Sequence, residues 1–387
     1  MQILLLLSVS LIIYTYVGYP SILFLLSLCN FRPVRKGIFD SYPIVSVVIA
    51  ARDEESLISP RLDNLLTQNY PSYLEIIVVS DGSTDKTVEA VKKKKRSLSS
   101  VEHVNIKCIS YFPSRGKPFA LNKGVKCAQG EIIVFTDCRQ KFEFDTILKL
   151  VGNFHDRYVG CVSGELVFYN DSKSKIRSEM GLYWRYEKWI RKKESMSGNV
   201  VGATGAVYAI RKSLYKPLPD ETLLDDVMVP LSIIVGGCRV IFDEDAIAYD
   251  FMSKDYAQEW HRKVRTLTGN WQLLSLAPYL FSPNRNPIWF RFISHKILRL
   301  IVPFLLFYIL IVSFIGNTPF FTICLLIQVL FYTLAMTGAC FPYLRRFHLV
   351  NLSYFFIVLN CAVFIAFWYW VSGKSSDVWQ SVYDNDD

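Results

Sequence analysis

Apolar residues concentrate at the two ends of this 387-residue chain, and short apolar runs alternate with polar segments between them. Residues 1–31 contain no charged side chain. At about 1.5 Å per residue, the apolar stretch 3–28 is long enough to cross a hydrocarbon core of about 30 Å. Three similar stretches follow the polar middle of the chain, at 300–316, 319–340 and 349–371. The pattern predicts one N-terminal membrane helix within 1–31 and three C-terminal membrane helices within 300–371.

Basic residues border the predicted membrane helices at three places, which are Arg32, Arg35 and Lys36, then Lys296 and Arg299, then Arg345 and Arg346. Cytoplasmic loops carry an excess of lysine and arginine, and all three places fall on one face of the four-helix arrangement. We therefore expect a multi-pass protein of the cell membrane with a cytoplasmic middle segment. Residues 276–299 are expected to form an interfacial amphipathic segment, and 372–387 an acidic tail that lies outside unless the last helix is re-entrant.

The middle of the chain, over 40–275, alternates β-rich apolar runs with polar segments of helical period. This alternation is typical of one α/β domain in which helices cover a sheet. The first helix is expected to begin with Ser59 as its cap and Pro60 in its first turn. Strands are predicted at 44–50, 74–80, 104–109 and 131–136.

Carboxylates follow three of the predicted strands. Asp53 and Glu54 come after the first strand, Asp81 after the second and Asp137 after the fourth. The carboxyl ends of parallel strands meet at one edge of an open α/β sheet, which is where ligands bind. A well-made turn would account for the residues around Asp81 but would leave its carboxylate without a structural task. The pattern therefore predicts a ligand site at this edge.

The net charge and the cysteine content narrow the class of protein. A formal charge of +9 would suit nucleic acid, but basic residues beside membrane helices account for it more simply. We therefore expect membrane lipids, and no nucleic acid, among the partners. The nine cysteines form no C-x-x-C pair, which fits a reducing compartment and no metal cage.

Seven segments, in order, resemble the motifs of family 2 glycosyltransferases with a GT-A fold, a Rossmann-like mixed sheet with helices on both faces. The first four are SVVIAARDEE (46–55), VVSDGSTDKT (78–87), RGKPFALNKG (115–124) and EIIVFTDCRQ (131–140). The later three are VVGATGAVYAIRKSLY (200–215), LLDDVMVPLSII (223–234) and RKVRTLTGNW (262–271). The resemblance covers about 44–271 and implies a membrane-anchored enzyme of the polysaccharide- or glycolipid-synthesising type.

The resemblance implies donor-binding roles for several of these residues. Asp53, Glu54 and Asp81 would hold the base and ribose, since carboxylates accept hydrogen bonds from base N–H groups and ribose hydroxyls. Lys117 would lie near the nucleotide, where an amine suits phosphate. The alternative for Lys117 is a solvent-facing cation ahead of a helix.

Asp137 and Arg139 occupy the positions where the family usually has Asp-x-Asp, whose second aspartate binds a divalent metal that bridges the donor phosphates. Arg139 cannot be a metal ligand because its positive charge repels the ion. Two arrangements remain open. Asp137 alone holds Mg²⁺ or Mn²⁺ together with the donor phosphates, or Arg139 reaches the diphosphate and supplies the positive charge itself.

Asp225 and Asp226 match the acidic pair whose second member is the family's catalytic base. Inverting transfer needs a base that takes the proton of the acceptor hydroxyl while the nucleotide leaves from the opposite side. Consecutive residues of a helix point about 100° apart, so both carboxylates cannot face one substrate. We assign Asp226 as the base and Asp225 as its support. The alternative is that both acids only favour the helix dipole.

Arg262 and Arg265 fall where the family often has Gln-x-x-Arg-Trp, with Thr266 in place of the tryptophan. Arg265 suits a diphosphate because guanidinium makes paired hydrogen bonds to phosphate. The alternative for both arginines is an interfacial helix near lipid. Gly202 and Gly205 lie in the acceptor-side segment, where they either allow a ligand to approach the backbone or serve a tight turn.

Together these predictions describe an inverting glycosyltransferase at the cytoplasmic membrane face. It would move a sugar from a UDP- or GDP-sugar to a hydroxyl of a lipid-linked or polymeric glycan acceptor. The alternative is a catalytically inactive membrane scaffold or sensor that binds nucleotide sugars, for which Arg139 is the main argument. A processive, exporting synthase is less expected, given four membrane helices and Thr266.

Overall fold

Eight strands form one sheet in the computed structural model, which describes residues 1–97, 103–169, 177–251 and 256–374. The predicted acidic tail from residue 375 onward lies outside these ranges. The spatial order of the strands is β3-β2-β1-β4-β7-β6-β8-β5. Their bounds are β1 Val45–Ala51, β2 Leu74–Asp81, β3 Val104–Tyr111, β4 Ile132–Phe135, β5 Lys141–Phe142, β6 Val159–Tyr169, β7 Tyr208–Arg211 and β8 Arg239–Phe251.

Strands β1 to β4 form a parallel half, in which β1 pairs with β2 and β4, and β2 pairs with β3. Val47 and Ile49 enter one apolar core and Val48 the other, because successive side chains of a strand point to opposite faces. A sheet buried on both faces needs apolar residues at nearly every position, which explains the continuous apolar runs in the sequence. All four predicted strands are present, with small shifts at their ends.

The other half of the sheet mixes directions. Strand β7 pairs antiparallel with β4 and β6, while β8 runs parallel to β6 and antiparallel to β5. Tyr208 lies opposite Phe135 in the pairing of β7 with β4. The residues that precede β7 therefore lie at the same sheet edge as the residues that follow β4. This mixed sheet confirms the predicted fold class.

Helices cover both faces of the sheet and extend away from it. Short 3₁₀ helices span Asn153–His155, Lys212–Leu214, Pro278–Phe281 and Pro342–Arg346. The longer helices are α1 Gln2–Cys29, α2 Glu55–Leu66, α3 Thr87–Ser97, α4 Lys117–Cys127, α5 Thr146–Gly152, α6 Arg177–Met196, α7 Asp225–Val235, α8 Tyr256–Leu276, α9 Trp289–Ile315, α10 Pro319–Cys340 and α11 His348–Val371.

The start of α2 differs from the prediction. The helix begins at Glu55, a full turn before Ser59, so the expected start with Pro60 in the first turn was wrong. The reason is a cap from a distant loop: Asp85 Oδ2 accepts a hydrogen bond from Glu55 N at 2.9 Å. Ile58 is also buried in the core, which adds a stabilising contact ahead of Ser59.

Within the described residues, four helices are long and apolar enough to cross a membrane: α1, α9, α10 and α11. One is N-terminal and three are C-terminal, as the sequence predicts. Helix α9 begins at Trp289 rather than at residue 300, so it takes up much of the predicted interfacial segment 276–299. Its first turns carry polar residues that are bonded to α6; for example, Arg291 Nη1 donates to Glu194 O at 2.6 Å.

The α/β domain and the apolar helices share one continuous core. Trp271 on α8 is only 8% exposed. Its ring packs against Phe304 of α9 and against Phe367 and Trp370 of α11, with centroid distances of 6.1, 5.1 and 5.9 Å. Helix α8 therefore fixes the apolar helices relative to the sheet.

Candidate active site

Asp81 organises the loop that leads into α4. Its buried carboxylate accepts hydrogen bonds from Arg115 N at 2.7 Å, Gly116 N at 2.8 Å and Ser114 Oγ at 2.8 Å. Gly82 allows this approach because its φ is 68° and a β-carbon there would lie 2.5 Å from Ser114 N. Asp81 thus has a structural task that the sequence did not reveal. Its contact with a base or ribose stays a prediction.

Asp53 and Glu54 lie at the same sheet edge, in a rim made by two loops. Asp53 has a left-handed backbone with φ of 53°, and its Oδ1 accepts hydrogen bonds from Thr84 N at 2.7 Å and Asp85 N at 3.3 Å. In return, Glu54 N donates to Thr87 Oγ1 at 2.8 Å. These reciprocal bonds join the loops after β1 and β2. The donor contacts of both acids stay predictions.

Lys117 joins the end of β4 to the acidic pair at the start of α7. Its Nζ lies 2.8 Å from Asp137 Oδ1 and 3.6 Å from Asp225 Oδ1, and its side chain is 16% exposed. It is the first residue of α4, so the short loop held by Asp81 sets its position. Lys117 therefore lies among the site's carboxylates and is not a solvent-facing cation.

Asp137 lies in a cationic environment. Burial alone would raise the pKa of its carboxyl, but the charges of Lys117, Arg139 and Arg265 lower that pKa below its usual value. The carboxylate therefore stays ionised, and the cations around it form a region suited to a diphosphate.

Arg139 follows β4, and its side chain is bound to a residue near the end of β8. Its Nη2 donates to Asp250 Oδ2 at 2.6 Å, and Gln140 Nε2 donates to the same oxygen at 3.0 Å. Asp250, near the end of β8, is 1% exposed, so it needs this positive partner. The structure thus gives Arg139 a structural partner at the position where the sequence suggested a donor contact.

The described residues include no group of three or more His, Cys, Asp or Glu side chains that could hold a metal ion. Asp137 offers a carboxylate that is 39% exposed, with Lys117 on one oxygen. Mg²⁺ commonly uses only one or two carboxylates and completes its shell with substrate phosphates and water. The residues therefore fit a metal only in a site that the donor completes.

The acidic pair occupies the first turn of α7, as predicted. Asp225 is buried, and its Oδ2 accepts a hydrogen bond from Tyr208 Oη at 3.4 Å. Asp226 is half-buried. Burial and the neighbouring charge of Asp225 raise the pKa of Asp226 to about 6, against the lowering effects of Lys117, Lys296 and Arg265. The two carboxylates thus have different environments, which suits one base and one supporting residue.

The glycine turn before β7 lies directly against Asp226. Ala203 N donates to Asp226 O at 2.7 Å. A β-carbon on Gly205 would come within 3.0 Å of Asp226 Oδ2, whereas one on Gly202 would come only within 3.4 Å of Val227 Cγ2. Gly205 therefore lets the turn approach the carboxylate more closely than a residue with a β-carbon would. The predicted acceptor-side turn and the predicted base meet in the structure.

Arg265 contributes positive charge to both parts of the site, since it lowers the pKa of Asp137 and of Asp226. It projects from α8, the helix that also packs on the apolar helices. Arg262 lies almost one turn earlier on the same helix and is half-buried. Thr266 is exposed, and its hydroxyl donates to Arg262 O at 2.9 Å, an ordinary bond within the helix.

Two basic residues near Asp226 were not assigned to the site from the sequence. Arg191 Nη1, from α6, donates to Thr204 Oγ1 at 2.8 Å, and Thr204 N donates to Ser163 Oγ at 2.9 Å. Lys296, from α9, acts on Asp226 through its charge. In the sequence Lys296 served only as an indicator of membrane orientation, and Arg191 lies in a basic run. Neither pattern shows which way the side chain faces.

The fold and the site together define a class of protein: an α/β domain with an acidic pair beside a group of cations. The comparison with protein families then specifies it. Residues 46–218 match the family model described as Glycosyl transferase family 2. Residues 46–218 are therefore similar to a family 2 glycosyltransferase domain. This similarity agrees with the family and the enzyme class that the sequence motifs predicted.

Two curated relatives are named as a polysaccharide synthase and as a probable glycosyltransferase. The chain is 24% identical over 234 residues to Poly-beta-1,6-N-acetyl-D-glucosamine synthase of Staphylococcus aureus, covering 59% of this chain and 55% of that protein. It is 26% identical over 255 residues to Probable glycosyltransferase YdaM of Bacillus subtilis, covering 64% and 60%. The match thus spans little more than half the length of these relatives.

A solved structure shares the architecture. Mannosyltransferase PcManGT from Pyrobaculum calidifontis, in complex with GDP-Man and Mn²⁺, superimposes with a TM-score of 0.70. The match covers 95% of this chain and 99% of that chain at 21% sequence identity. At this identity the likeness shows the fold.

Proposed function

We propose that this protein is an inverting glycosyltransferase that moves a sugar from a UDP- or GDP-sugar to a hydroxyl of a lipid-linked or polymeric glycan acceptor. The observation that carries the proposal is the placement of Asp226 against the open turn at Gly205. The pKa of Asp226, raised to about 6, makes it a stronger base than an ordinary aspartate, and it is still ionised at neutral pH.

Asp226 would take the proton of the acceptor hydroxyl as the hydroxyl oxygen attacks the anomeric carbon. The space left by Gly205 would let the acceptor approach Asp226 Oδ2. The nucleoside diphosphate would leave from the opposite side of that carbon. Its developing negative charge would be stabilised by Lys117 and Arg265, whose charges already act at this sheet edge.

Asp225 would support the reaction without touching the acceptor. Its side chain is buried. Asp225 Oδ1 lies 3.6 Å from Lys117 Nζ, and Oδ2 accepts a hydrogen bond from the hydroxyl of Tyr208. Its negative charge contributes to the raised pKa of Asp226. Asp225 would therefore position Lys117 and strengthen the base.

Asp137 would bind Mg²⁺ or Mn²⁺ together with the donor diphosphate, and the ion would supply further neutralisation of the leaving group. The Mn²⁺ in the PcManGT complex supports this assignment. The ion pair of Arg139 with Asp250 argues against direct contact of Arg139 with the diphosphate. Donor hydrolysis that stops in EDTA and resumes with Mn²⁺ would agree with this. Hydrolysis that persists in EDTA would assign the neutralisation to Lys117 and Arg265.

The catalytic domain would lie at the cytoplasmic face of a multi-pass membrane protein. The four apolar helices support membrane insertion. Basic residues that follow α1 and precede or begin α9 support this orientation by the positive-inside tendency.

The test is the variant Asp226→Asn, which keeps the shape of the side chain and removes the base. Turnover should fall at least about 100-fold, while nucleotide binding, measured by calorimetry, stays within about twofold. Asp245→Asn is the matched control, since Asp245 is 66% exposed and far from the acid pair in the fold. Near-normal turnover in Asp226→Asn would remove the assignment of the base.

A further inference from the structure

Lys296 is a half-buried cation without a counter-ion beside the acidic pair. It lies in the first turns of α9, and its charge acts on Asp226 and Glu187. In the part of the chain that the structure describes, its amine has no hydrogen-bond or ion-pair partner. Taking a charged amine out of water is costly unless an opposite charge compensates it. The position of Lys296 therefore favours an anionic ligand.

The other charged groups on this stretch of α9 are already neutralised by α6. His295 lies between two glutamates, with Nδ1 2.8 Å from Glu194 Oε1 and Nε2 3.2 Å from Glu187 Oε2. Arg299 Nη1 donates to Glu187 Oε1 at 2.5 Å. The two glutamates are thus occupied, and among the described residues Lys296 makes no direct ion pair.

Arg191 adds a second cation next to the same place. It donates to Thr204, the residue before Gly205, so its guanidinium lies at the glycine turn that contacts Asp226. Its charge also acts on Lys296, and two like charges repel unless an anion lies near both. Glu165, which feels the charge of Arg191, is ion-paired with Lys188 at 3.2 Å.

An apolar cavity of about 410 Å³ opens further along α9, between α9, α10 and α11. This is within the range of about 300–1,000 Å³ found for small-ligand pockets. Its walls are almost entirely apolar and include Pro303, Leu306 and Leu310 from α9, Ala335 from α10, and Ile357 and Phe364 from α11.

The cation and the cavity follow one another along α9. Lys296 lies in the π-helical turn Ile293–Ile297, and Pro303, the first α9 residue that lines the cavity, comes after it in the same helix. The cavity therefore begins about 10 Å along the helix from the cationic group. A cationic group followed by an apolar cavity is complementary to an amphiphile with an anionic head and a hydrocarbon chain.

We propose that the acceptor is a lipid-linked sugar whose sugar and lipid are joined through a phosphate. The phosphate binds Lys296 and Arg191, the sugar hydroxyl faces Asp226, and the start of the hydrocarbon chain enters the cavity. This assignment rests on the proposed glycosyl transfer and names the class of its acceptor. A neutral polymer would bring no negative charge to Lys296 and Arg191.

The phosphate is a binding group and takes no part in the bond changes. The acceptor hydroxyl gives its proton to Asp226, and its oxygen forms the new bond to the anomeric carbon of the donor sugar. The bond from that carbon to the diphosphate oxygen breaks, and the nucleoside diphosphate leaves with the electron pair. The new glycosidic bond extends the lipid-linked sugar by one residue.

The test uses the full chain in detergent and three probes: hexadecyl phosphate, hexadecanol and butyl phosphate. Binding is measured by native mass spectrometry, without a donor or turnover. Hexadecyl phosphate should bind at least about tenfold more tightly than either of the other probes, because only it offers both groups. Equal binding of hexadecyl phosphate and hexadecanol would overturn the anionic site.

Variants of Lys296 test the cationic end. Lys296→Gln removes a charge that makes no bond in the protein, so the fold should persist while hexadecyl phosphate binds about tenfold more weakly. Lys296→Arg should restore binding, and Lys216→Gln, at an exposed position, should leave it unchanged. Unchanged binding in Lys296→Gln would overturn the assignment.

A variant of Ala335 tests the cavity. Ala335→Phe should fill the cavity and weaken hexadecyl phosphate without affecting butyl phosphate, whereas Ile327→Phe, at a 64% exposed site on α10, should change neither. Unchanged binding of hexadecyl phosphate to Ala335→Phe would remove the cavity from the proposal. None of these measurements involves the donor. The lipid phosphate proposal can therefore be wrong while the Asp226 assignment holds, and the Asp226 assignment can be wrong while lipid phosphate still binds.

Discussion

Asp226 is expected to set the pH range in which the enzyme works. Because the pKa of Asp226 is raised to about 6, the carboxylate becomes protonated, and loses its function as a base, as pH falls through that value. Below about pH 6, kcat/KM should fall about tenfold for each pH unit. Above about pH 6, the ionisation of Asp226 should cause no further change in kcat/KM. A pH profile of sugar transfer at low substrate concentration measures this.

Asp225 provides the internal control for that profile. Its negative charge is one cause of the raised pKa of Asp226, so Asp225→Asn should move the acid limb to lower pH. The exposed variant Asp245→Asn should leave the limb in place. An acid limb that does not move in Asp225→Asn would show that this neighbour does not tune the base.

Gly205 is expected to be indispensable for access to the base. In Gly205→Ala the new methyl group would lie 3.0 Å from Asp226 Oδ2, in the space that the acceptor needs. The kcat should fall about tenfold with little change in donor KM. Gly202→Ala, whose methyl would meet its nearest atom at 3.4 Å, is the matched control and should be nearly normal. Equal losses in both variants would indicate a general demand for glycine in the turn.

At the scale of secondary-structure elements, the ion pair of Arg139 and Asp250 joins the end of β4 to the end of β8. Arg139→Met should remove the positive partner of the buried Asp250 carboxylate, which keeps its hydrogen bond from Gln140. Because Arg139 is 33% exposed, solvent screening reduces the cost, and we expect a loss of about 1–3 kcal/mol in the free energy of unfolding. Thermal melting in detergent measures it.

The comparison variant is Arg115→Met, which breaks an exposed pair with Asp220 and should cost less than about 1 kcal/mol. Donor KM separates the two interpretations of Arg139. If Arg139→Met melts normally but raises donor KM, then Arg139 leaves Asp250 to reach the diphosphate, and the structural assignment is wrong.

At the scale of the whole molecule, α6 joins the catalytic domain to the apolar helices. Burial alone would raise the pKa of Glu187, but Arg299 and His295 hold it well below its usual range. Glu187→Ala should leave both partners short of a counter-charge and destabilise the protein by about 3–5 kcal/mol. Glu244→Ala is the control, since Glu244 is 39% exposed and pairs with the exposed Lys192 and Lys188.

The measurement is thermal unfolding of the full chain, followed both by intrinsic fluorescence and by loss of nucleotide binding. We expect one transition that shifts to lower temperature in Glu187→Ala. A variant whose nucleotide-binding transition stays at the wild-type temperature would show that the domain does not depend on the apolar helices.

The sequence was informative where the signal is local. Short apolar runs separated by polar segments located the strands, and continuous apolar stretches located the four long helices. Burial places apolar residues at short, regular intervals along each element, and such a pattern can be seen within a few residues. The acidic pair at the start of α7 was found for the same reason, since its motif is contiguous. The order of the seven motifs then specified the family and the fold.

The sequence was uninformative where the partner is distant in the chain. Helix α2 starts early because Asp85, from another loop, caps it. Arg139 binds Asp250, which lies 111 residues away, and this contact favours one of the two roles that the motif left open. Residue type shows what a side chain can bind but does not show which partner is near.

The sequence by itself thus determined the fold class, the number and position of the apolar helices, and the identity of the acid pair. The tertiary structure decided which charges remain without a partner. Tyr19 and Glu194 are 175 residues apart and His295 and Glu194 are 101 apart, yet they form one buried network. The physical reason is that backbone periodicity depends on neighbours in the chain, whereas electrostatic compensation depends on distance in space. Only the folded chain shows that Lys296, near Asp226, makes no direct ion pair with any other described residue.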